Sequence, residues 1–213
     1  IVDVDGGYQH SIAMDSAGQV YVWGDNYWGQ LADDTMDKTL PHDQQTQDFA
    51  SVLTGPTEGI LPNQDIDDYP AVDVDAGADH SLVVTETDMP SYVGCHSVFA
   101  FGWGTLGQNG NGLAFERDYV PVEVSTTVLG MSQISAVSAM GSHSVALVDW
   151  QPYAWCGAGT DGVGNVRTWG DNRVGQLGVG AGSGGPPCTL GAGTAACERG
   201  PEWVMAADSM IML

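Results

Sequence analysis

Apolar and polar residues alternate in several short stretches of the chain, and this alternation is typical of β-strands. Residues 2–5 read Val-Asp-Val-Asp, residues 72–75 repeat the same four residues, and residues 18–23 alternate behind a turn glycine. We expect the valines on one face of each strand and the carboxylates on the other. The 30 glycines and 10 prolines interrupt the chain too often for long helices. The pattern predicts an all-β protein.

Three segments of the chain repeat one ordered set of motifs, His-Ser, then Trp-Gly, then Gly-Gln. Self-similarity in a fixed order indicates a repeat architecture. The spacing from histidine to tryptophan is 13, 23 and 26 residues. The insertions therefore lie at one place, between the His-Ser and Trp-Gly strands, as in hairpins of variable length. The repeated histidines are His10, His80 and His143, the tryptophans are Trp23, Trp103 and Trp169, and the glycines that follow are Gly24, Gly104 and Gly170.

These motifs give the chain a resemblance to a known family. The series Gly-x-x-His-Ser, Gly-x-Val-x-x-Trp-Gly-x-Asn and Gly-Gln-Leu-Gly resembles the repeat of the regulator of chromosome condensation (RCC1-like) family, over residues 1 to about 180. The resemblance implies a β-propeller whose blades are four-stranded antiparallel sheets around a central channel. The nucleotide-exchange and chromatin roles known in that family are not expected here, because the chain is strongly acidic.

The repeat divides residues 1–213, one module, into units. Closed propellers have about four to eight blades, whereas the motifs define three units and a partial one. The chain is therefore expected either to be part of a larger propeller or to complete a ring or filament with other chains. The units lie at about residues 1–70, 71–133 and 134–202, and the partial unit at 203–213.

The segments between the motifs are long. The spacings of 70 and 63 residues between successive motif histidines exceed the roughly 40 to 50 of common propeller repeats. We expect residues 32–70 to form a long ordered loop or an added hairpin. Two glycine-rich pieces, residues 158–164 and 178–193, are expected to be loops.

The repeated residues are predicted to hold the scaffold together. A histidine at the same place in each copy can hydrogen-bond a neighbouring backbone group, the tryptophans can bury apolar area between blades, and the glycines suit turns with positive φ. Adjacent His and Ser side chains on a strand point to opposite faces, so they form no nucleophile pair. We therefore assign no catalytic residue and no cofactor, and predict that the protein is not an enzyme.

Residues that do not repeat are better candidates for function, because the scaffold does not require them. Tyr27 and Trp28 stand between the first Trp-Gly and Gly-Gln pairs, close in sequence to Asp33, Asp34 and Asp37. An exposed aromatic pair would be a contact hot spot for a partner. The alternative is that the pair packs beneath the long segment that follows it.

The net negative charge of the chain limits the classes of partner that it is expected to bind. The chain has 27 acidic and 5 basic residues and a formal net charge of -22, which opposes binding to nucleic acid and to anionic membranes. The sequence contains no run of eighteen apolar residues, so it predicts no membrane-spanning helix. Position 1 is Ile, so a secretory signal is either removed or outside this segment. The acidity suits an extracellular, cell-surface or high-salt setting or a cationic partner; the alternative is that it only maintains solubility.

Acidic loops suggest a weak calcium site. Asp65, Asp67 and Asp68 offer carboxylate oxygens of the kind that Ca²⁺ prefers, as do the acids of residues 33–37. Neither loop has the Asp-x-Asp-x-Asp-Gly arrangement of a dedicated calcium loop, so solvated acidic surface is the alternative.

The four cysteines are too dispersed for a zinc or iron-sulfur motif. Cys188 and Cys197 bracket a glycine-rich loop, and a disulfide between them would constrain it. Cys95 and Cys156 fall in corresponding insertions of two units and are a second candidate pair. Free buried thiols are the alternative, and disulfides are favoured only in an oxidising compartment.

Three functions fit these features. The first is a non-enzymatic propeller scaffold, extracellular or on the cell surface, that binds a protein partner or its own copies. The second is a structural subunit of a self-assembling ring or filament, suggested by the small number of units. The third is the propeller module of a secreted hydrolase or glycan-binding protein, with a site made by the insertions.

Overall fold

The structure is a computed structural model and describes residues 1–54, 69–86, 95–114, 117–124, 133–149, 165–179, 188–190 and 193–203. Within these ranges the chain forms β-strands and one 3-10 helix, His42–Gln44. No helix among them is long and apolar enough to cross a membrane. The strands are β1 (Asp3–Gly6), β2 (His10–Met14), β3 (Val20–Asp25), β4 (Thr46–Val52), β5 (Ala71–Ala76), β6 (His80–Glu86), β7 (His96–Trp103), β8 (Arg117–Glu123), β9 (Gln133–Met140), β10 (His143–Asp149), β11 (Asn165–Asp171), β12 (Cys188–Leu190), β13 (Gly193–Ala195) and β14 (Cys197–Trp203).

Three four-stranded antiparallel sheets dominate the fold. Blade 1 contains β1 to β4 and blade 2 contains β5 to β8, each in chain order. Blade 3 contains β9, β10, β11 and β14, and the short hairpin of β12 and β13 precedes its last strand. These sheets have the form of propeller blades, so the predicted all-β propeller class is confirmed.

Residues 32–70 were expected to form a long ordered loop or an added hairpin, and residues 178–193 were expected to be a loop; both segments instead contribute strands. Residues 32–70 include the fourth strand of blade 1, β4, and residues 178–193 include β12 and the first residue of β13. The sequence of β4, Thr-Gln-Asp-Phe-Ala-Ser-Val, is exposed or half-buried throughout. It lies at the outer edge of its sheet and has no buried face, so no apolar alternation marked it in the sequence.

The core lies between the blades. One cluster joins blades 1 and 2 and includes Ile12, Val74 and Phe101; a second joins blades 2 and 3 and includes Leu82 and Trp169. Strand β6 is buried from its first to its sixth residue because blade 2 is covered on both faces. The interblade surfaces therefore supply most of the apolar burial.

The expected separation of valines and carboxylates onto opposite faces holds in both β1 and β5, but Val74 is buried and Val4 is exposed. Val74 is 3% exposed because it faces blade 1, and Asp75 points towards blade 3. Val4, at the corresponding position of β1, is 64% exposed, since no described residue covers that face of blade 1. Asp3 and Asp5, on the other face, are half-buried.

The pairing register corrects one predicted repeat residue. His10 pairs with Gly24 and His143 with Gly170, whereas His80 pairs with Gly102. Phe101, and not Trp103, therefore occupies the place of the other motif tryptophans, and Gly102 takes the place expected of Gly104. The sequence letters Trp-Gly occur two residues too late in this unit, after a Phe-Gly that keeps the register.

Candidate interaction surface

A histidine of each of the first two blades bonds a serine of the following blade. His10 Nε2 lies 2.9 Å from Ser81 Oγ, and Ser81 Oγ donates a hydrogen bond of 3.0 Å to the carbonyl of Gln30. The second boundary repeats this arrangement with His80 and Ser144 at 2.8 Å. We call each such connection a latch. The expectation that the motif histidines bond neighbouring backbone groups is wrong for His10 and His80, because their partners are hydroxyls 71 and 64 positions away.

The latch histidines are neutral. Burial lowers the pKa of His10 to about 4 and that of His80 to about 3. The serine hydroxyl uses its proton to donate a hydrogen bond to a backbone carbonyl, so the ring Nε2–H must be the donor to the serine oxygen. Nδ1 of both rings is then the unprotonated nitrogen, and it is buried without a hydrogen-bond partner. A neutral ring fixed in this way serves the scaffold and is not poised for proton transfer.

Glycines make room for the latch rings. A Cβ at Gly7 would lie 2.2 Å from Cε1 of His10, and a Cβ at Gly77 would lie 2.1 Å from Cε1 of His80. In the third unit, Met140 stands at the same place, three residues before His143. His143 therefore cannot place its ring as the other two do, and its side chain is half-buried.

Carboxylates form a second set of interblade bonds. Asp5 accepts a hydrogen bond of 2.9 Å from the amide of Ala76, and Asp75 accepts one of 3.1 Å from the amide of Ala139. Burial raises the pKa of Asp75 to about 7, and the neighbouring Asp5 carboxylate adds to this rise. The acidic residues of β1 and β5 thus connect strands of successive blades.

The predicted pair Tyr27 and Trp28 lies in an aromatic cluster between blades 1 and 2. Their rings meet edge to face at 4.9 Å, and Trp28 lies 5.8 Å from Trp103 of blade 2. The guanidinium of Arg117 lies over both rings, 4.1 Å from the centroid of Tyr27 and 4.9 Å from that of Trp28. We call these four residues, together with Tyr119, the aromatic face.

Polar contacts fix the aromatic face. The hydroxyl of Tyr119 donates a hydrogen bond of 3.0 Å to the carbonyl of Tyr27 and accepts one of 3.0 Å from Arg117. Lys38 lies 4.2 Å above the ring of Tyr119, and His42 lies 4.4 Å from the ring of Tyr27. Side chains from two blades and from the segment after β3 therefore converge there.

The geometry agrees in part with each expectation for Tyr27 and Trp28, that of an exposed contact pair and that of a pair packed beneath the following segment. The two side chains are half-buried, and the long segment contacts Tyr27 through His42, as the packing alternative expected. They nevertheless keep part of their surface open to solvent, as a contact surface requires. Their role as a binding site stays a prediction.

The acidic residues beside the aromatic face shape their own loop. Asp33 Oδ1 accepts hydrogen bonds from the amide and hydroxyl of Thr35, at 2.9 and 2.6 Å. Asp37 binds Thr39 in the same way, at 2.9 and 2.7 Å, and these bonds lower its pKa. Asp34 is exposed. These bonds shape the loop that carries Lys38, whose ammonium lies over the ring of Tyr119.

Trp103, Arg117 and Tyr119 are residues of this surface that sequence reasoning missed. The spacing within the repeat carried a signal for Trp103, because the aromatic-Gly pair precedes Gly-Gln by six residues in every unit: 23 to 29, 101 to 107 and 169 to 175. Trp103 falls outside that spacing. It is a departure from the repeat, as Tyr27 and Trp28 are.

One predicted disulfide is present. Cys188 and Cys197 are bonded, with a Cα separation of 5.9 Å, and are buried with Leu106 of blade 2. Trp103 packs against this cluster, so the disulfide adjoins the aromatic face. Cys95 is also disulfide-bonded, while its predicted partner Cys156 lies outside the described residues.

The proposed calcium ligands cannot be placed in the fold. Asp65, Asp67 and Asp68 lie outside the described residues, as does most of the partial unit at 203–213. Among the residues that are described, no three His, Cys, Asp or Glu side chains form a group that could hold a metal ion.

Comparison with known proteins agrees with the arrangement of the sheets as propeller blades. Residues 1–30 and 17–84 each match a sequence profile of the regulator of chromosome condensation (RCC1) repeat. The fold is similar to that of Prp20p from Saccharomyces cerevisiae, with a TM-score of 0.60 and 16% identity over 96% of this chain and 38% of that one. It is also similar to human WBSCR16, with a TM-score of 0.58 and 21% identity over 95% and 38% of the two chains. The class is therefore that of RCC1-type propellers.

Sequence relatives extend this result. The chain is 31% identical over 182 residues to the probable E3 ubiquitin-protein ligase HERC6 of Homo sapiens, and 30% identical over 133 residues to the ultraviolet-B receptor UVR8 of Arabidopsis thaliana. It covers 14% and 24% of those proteins, which in turn align with 84% and 62% of this chain. The chain thus contains RCC1 repeats, matched by profile over residues 1–84, and spans about a quarter or less of the length of these relatives.

The expected location is corrected by the relatives. The chain is 27% identical over 175 residues to FMP25, a mitochondrial protein of Saccharomyces cerevisiae, with coverage of 82% of this chain and 26% of that protein. The matched proteins give no support to an extracellular, cell-surface or high-salt location, and that expectation is wrong. Acidity was a poor guide because net charge reports on solubility and association in any compartment.

Proposed function

We propose that the chain is a non-enzymatic propeller scaffold that binds a protein partner through the aromatic face. The observation that carries this proposal is the convergence of Tyr27, Trp28 and Trp103. Each of the three departs from the repeat: Thr105-Leu106 and Arg173-Val174 stand where Tyr27-Trp28 do, and acidic residues stand where Trp103 does. The repeated histidines, serines and glycines already hold the blades together, so the scaffold does not require these three aromatic residues.

The composition of the aromatic face suits a protein contact. Tyrosine, tryptophan and arginine dominate the energetics of protein interfaces, and a polar rim that excludes water commonly surrounds them. Here Arg117 and two aromatic rings form the centre, and Asp33, Asp34 and Asp37 belong to the adjoining loop. The centre is also rigid, because Tyr119 and Arg117 fix it by hydrogen bonds. A rigid centre loses little conformational entropy on binding.

Two considerations favour binding over catalysis. The motif histidines that resemble catalytic residues are neutral and engaged in interblade latches. Prp20p, whose fold is similar, is a protein studied for its binding to Gsp1p and histones. The fold supports a protein partner as a class, and the acidic residues of the adjoining loop, Asp33, Asp34 and Asp37, favour a partner with a basic segment.

The test combines partner capture with a measured affinity. The variant Tyr27→Ala/Trp28→Ala is compared with Phe49→Ala, which removes a single aromatic that is 82% exposed on β4. A partner captured from a native extract by the unmodified chain is purified, and its Kd is measured by calorimetry. We expect the double variant to raise Kd by about 30-fold or more and the control to leave it within about twofold.

Folding of the variants is checked in parallel by thermal unfolding. An unchanged Kd for the folded double variant would reject the aromatic face as the binding surface. Equal loss in the Phe49→Ala control would point to a general effect on blade 1 and would equally reject it.

A further inference from the structure

Two Asn-Gly pairs follow one another directly after the glutamine of the Gly-Gln turn in blade 2. They are Asn109-Gly110 and Asn111-Gly112, and the sequence contains no other Asn-Gly pair. In such a pair the backbone nitrogen of the glycine can attack the side-chain amide carbon of the asparagine. Glycine permits this approach because it has no Cβ and its backbone is the least restricted. Since both pairs contain the same dipeptide, a difference in their reactivity must come mainly from the fold.

The fold holds the first pair, Asn109-Gly110, in an unreactive arrangement. Asn109 is 1% exposed, and its Nδ2 donates hydrogen bonds of 3.1 Å to the Gly102 carbonyl and of 2.6 Å to Asp118 Oδ2. The Gly110 amide donates a hydrogen bond of 2.9 Å to the Gly107 carbonyl, so the attacking nitrogen is not free to give its proton to water. Asn109 Oδ1 is buried without a hydrogen-bond partner. A negative charge that developed on this oxygen would therefore be unstabilised.

The second pair, Asn111-Gly112, has the opposite environment. Asn111 is half-buried and Gly112 is exposed, and a Cβ built on Gly112 would meet nothing within 4 Å. Within the described ranges the Gly112 amide has no hydrogen-bond acceptor, so water can take its proton. The Leu113 amide donates a hydrogen bond of 3.1 Å to Asn111 Oδ1. This bond closes a small ring of atoms that includes both the side-chain amide carbon and the Gly112 nitrogen.

The Leu113 amide is also placed to assist the attack. When the Gly112 nitrogen adds to Cγ of Asn111, the negative charge of the tetrahedral intermediate develops on Oδ1. A donor already directed at that oxygen stabilises the charge, as the donors of an oxyanion hole do. The second pair therefore combines a free nucleophile, an open approach and a stabilised oxygen, all of which the first pair lacks.

We propose that Asn111 is a site of spontaneous deamidation in the folded protein and that the fold protects Asn109. The Gly112 nitrogen gives its proton to water and forms a bond to Cγ of Asn111. Nδ2 takes up a proton and leaves as ammonia, and the product is a cyclic succinimide. Water then opens the ring at either carbonyl and gives aspartate or isoaspartate. The net reaction consumes one water and releases one ammonia, and it needs no oxidant, reductant or cofactor.

The site lies between two anchors of blade 2. Gln108, whose carbonyl accepts the hydrogen bond of Ser144 in the second latch, precedes Asn111 by three positions. Ala114 follows it by three positions and packs, as Trp103 does, against the cluster of the disulfide. Isoaspartate adds a methylene to the main chain between these anchors, and both products add a carboxylate to a chain of net charge -22. Modification should therefore weaken the boundary between blades 2 and 3.

The test is incubation of the 213-residue chain at neutral pH and physiological temperature, with peptide mapping by mass spectrometry over time. Fragment spectra assign the replacement of NH₂ by OH to position 109 or 111, and enzymatic methyl esterification detects isoaspartate. We expect Asn111 to react about tenfold or more faster than Asn109 in the native chain. In urea the protection of Asn109 is lost, so we expect the two rates to come within about threefold of each other. Equal rates in the native chain, or no reaction at Asn111 while the denatured chain reacts, would overturn the proposal.

Asn111→Gln is the matched variant. It keeps the amide and adds one methylene, so the attack would have to close a larger ring. We expect this variant to form no isoaspartate at position 111 and to unfold at the same temperature as the unmodified chain before incubation. After incubation the unmodified chain should unfold at a lower temperature, while Asn111→Gln should not change. An equal loss in the two chains would show that modification at Asn111 does not weaken the boundary.

Discussion

His80 and Ser144 lie 2.8 Å apart across the boundary between blades 2 and 3, and both are fully buried. Because the Ser144 hydroxyl donates a hydrogen bond to the Gln108 carbonyl, the pair joins a ring, a hydroxyl and a turn from two blades. His10 and Ser81 repeat the arrangement one blade earlier. The histidine latch is therefore a property of the repeat, and its energetic contribution can be measured at each boundary.

Loss of the second latch should destabilise the protein strongly. His80→Ala removes the donor to Ser144 and leaves a cavity, so we expect the free energy of unfolding to fall by about 2–4 kcal/mol. His143→Ala is the matched control, since that histidine is half-buried; it should cost less than about 1 kcal/mol. Urea unfolding followed by tryptophan fluorescence measures both values. Equal losses in the two variants would contradict a special role for the latch.

A methyl group beneath the latch ring should act like loss of the ring itself. In Gly77→Ala the new Cβ would lie 2.1 Å from Cε1 of His80, so the ring must move away from Ser144. We expect a loss of about 1.5–3 kcal/mol. Gly6→Ala is the control, because a Cβ there meets nothing within 4 Å. Crystal structures of the two variants would show a displaced ring only in the first, and an unmoved ring in Gly77→Ala would refute this account.

Stability should fall between pH 4 and pH 7 through Asp75. Its pKa is raised from 3.8 to about 7 in the folded protein, mainly by burial. The folded state therefore binds more protons than the unfolded state in that window, and unfolding becomes easier as the pH rises. Because the side chain is only half-buried, solvent screening reduces the effect to about 1–2 kcal/mol.

The variant Asp75→Asn isolates this contribution. It keeps an oxygen acceptor for the Ala139 amide and removes the charge, so it should be more stable than the unmodified chain at pH 8 and equal to it near pH 4. Glu123, whose pKa burial also raises to about 7, contributes a slope that the variant retains. Denaturant unfolding at four pH values gives the comparison, with Asp33→Asn as control. An unaltered pH slope in Asp75→Asn would argue against the assignment.

The Cys188–Cys197 disulfide should resist reduction in the native state. Both sulfurs are buried against Leu106, so a thiol reagent reaches them only after local opening. Removing the bond, as in Cys188→Ser/Cys197→Ser, should lower stability by about 2–3 kcal/mol, the entropic effect of a loop of this size. Thiol titration after exposure to a mild dithiol, with and without urea, distinguishes the cases. Rapid native reduction would show that the site is open to solvent.

The repeat was predictable from the sequence because its structural motif residues recur in each unit. His10, His80 and the Gly-Gln pairs occur in one order, which indicated a repeat architecture and carried the family resemblance that implied a propeller. The partners of the histidines were not predictable, because each latch joins residues 71 or 64 positions apart. A long-range hydroxyl partner leaves no mark in the local pattern of apolar and polar residues.

The aromatic face was predictable only in part. Tyr27 and Trp28 stood out as exceptions to the repeat, whereas Trp103 looked like a member of it because of the Trp-Gly letters. Arg117 and Tyr119 lie on β8, and pairing between β7 and β8 brings them to the site. Such convergence depends on sheet register, which a single sequence does not specify for an outer strand with little apolar alternation.

Coverage of blade 2 on both faces has a consequence for the order in which the molecule opens. In a stack whose units contact only their neighbours, the ends lose their structure at lower free energy than the middle. Amides of β6, enclosed by two other sheets, should therefore exchange with deuterium only on global unfolding, while those of β1 exchange through fraying of the first blade. Any partner that covers Val4 would slow that exchange, so the rate at β1 is a direct report of occupancy on that face.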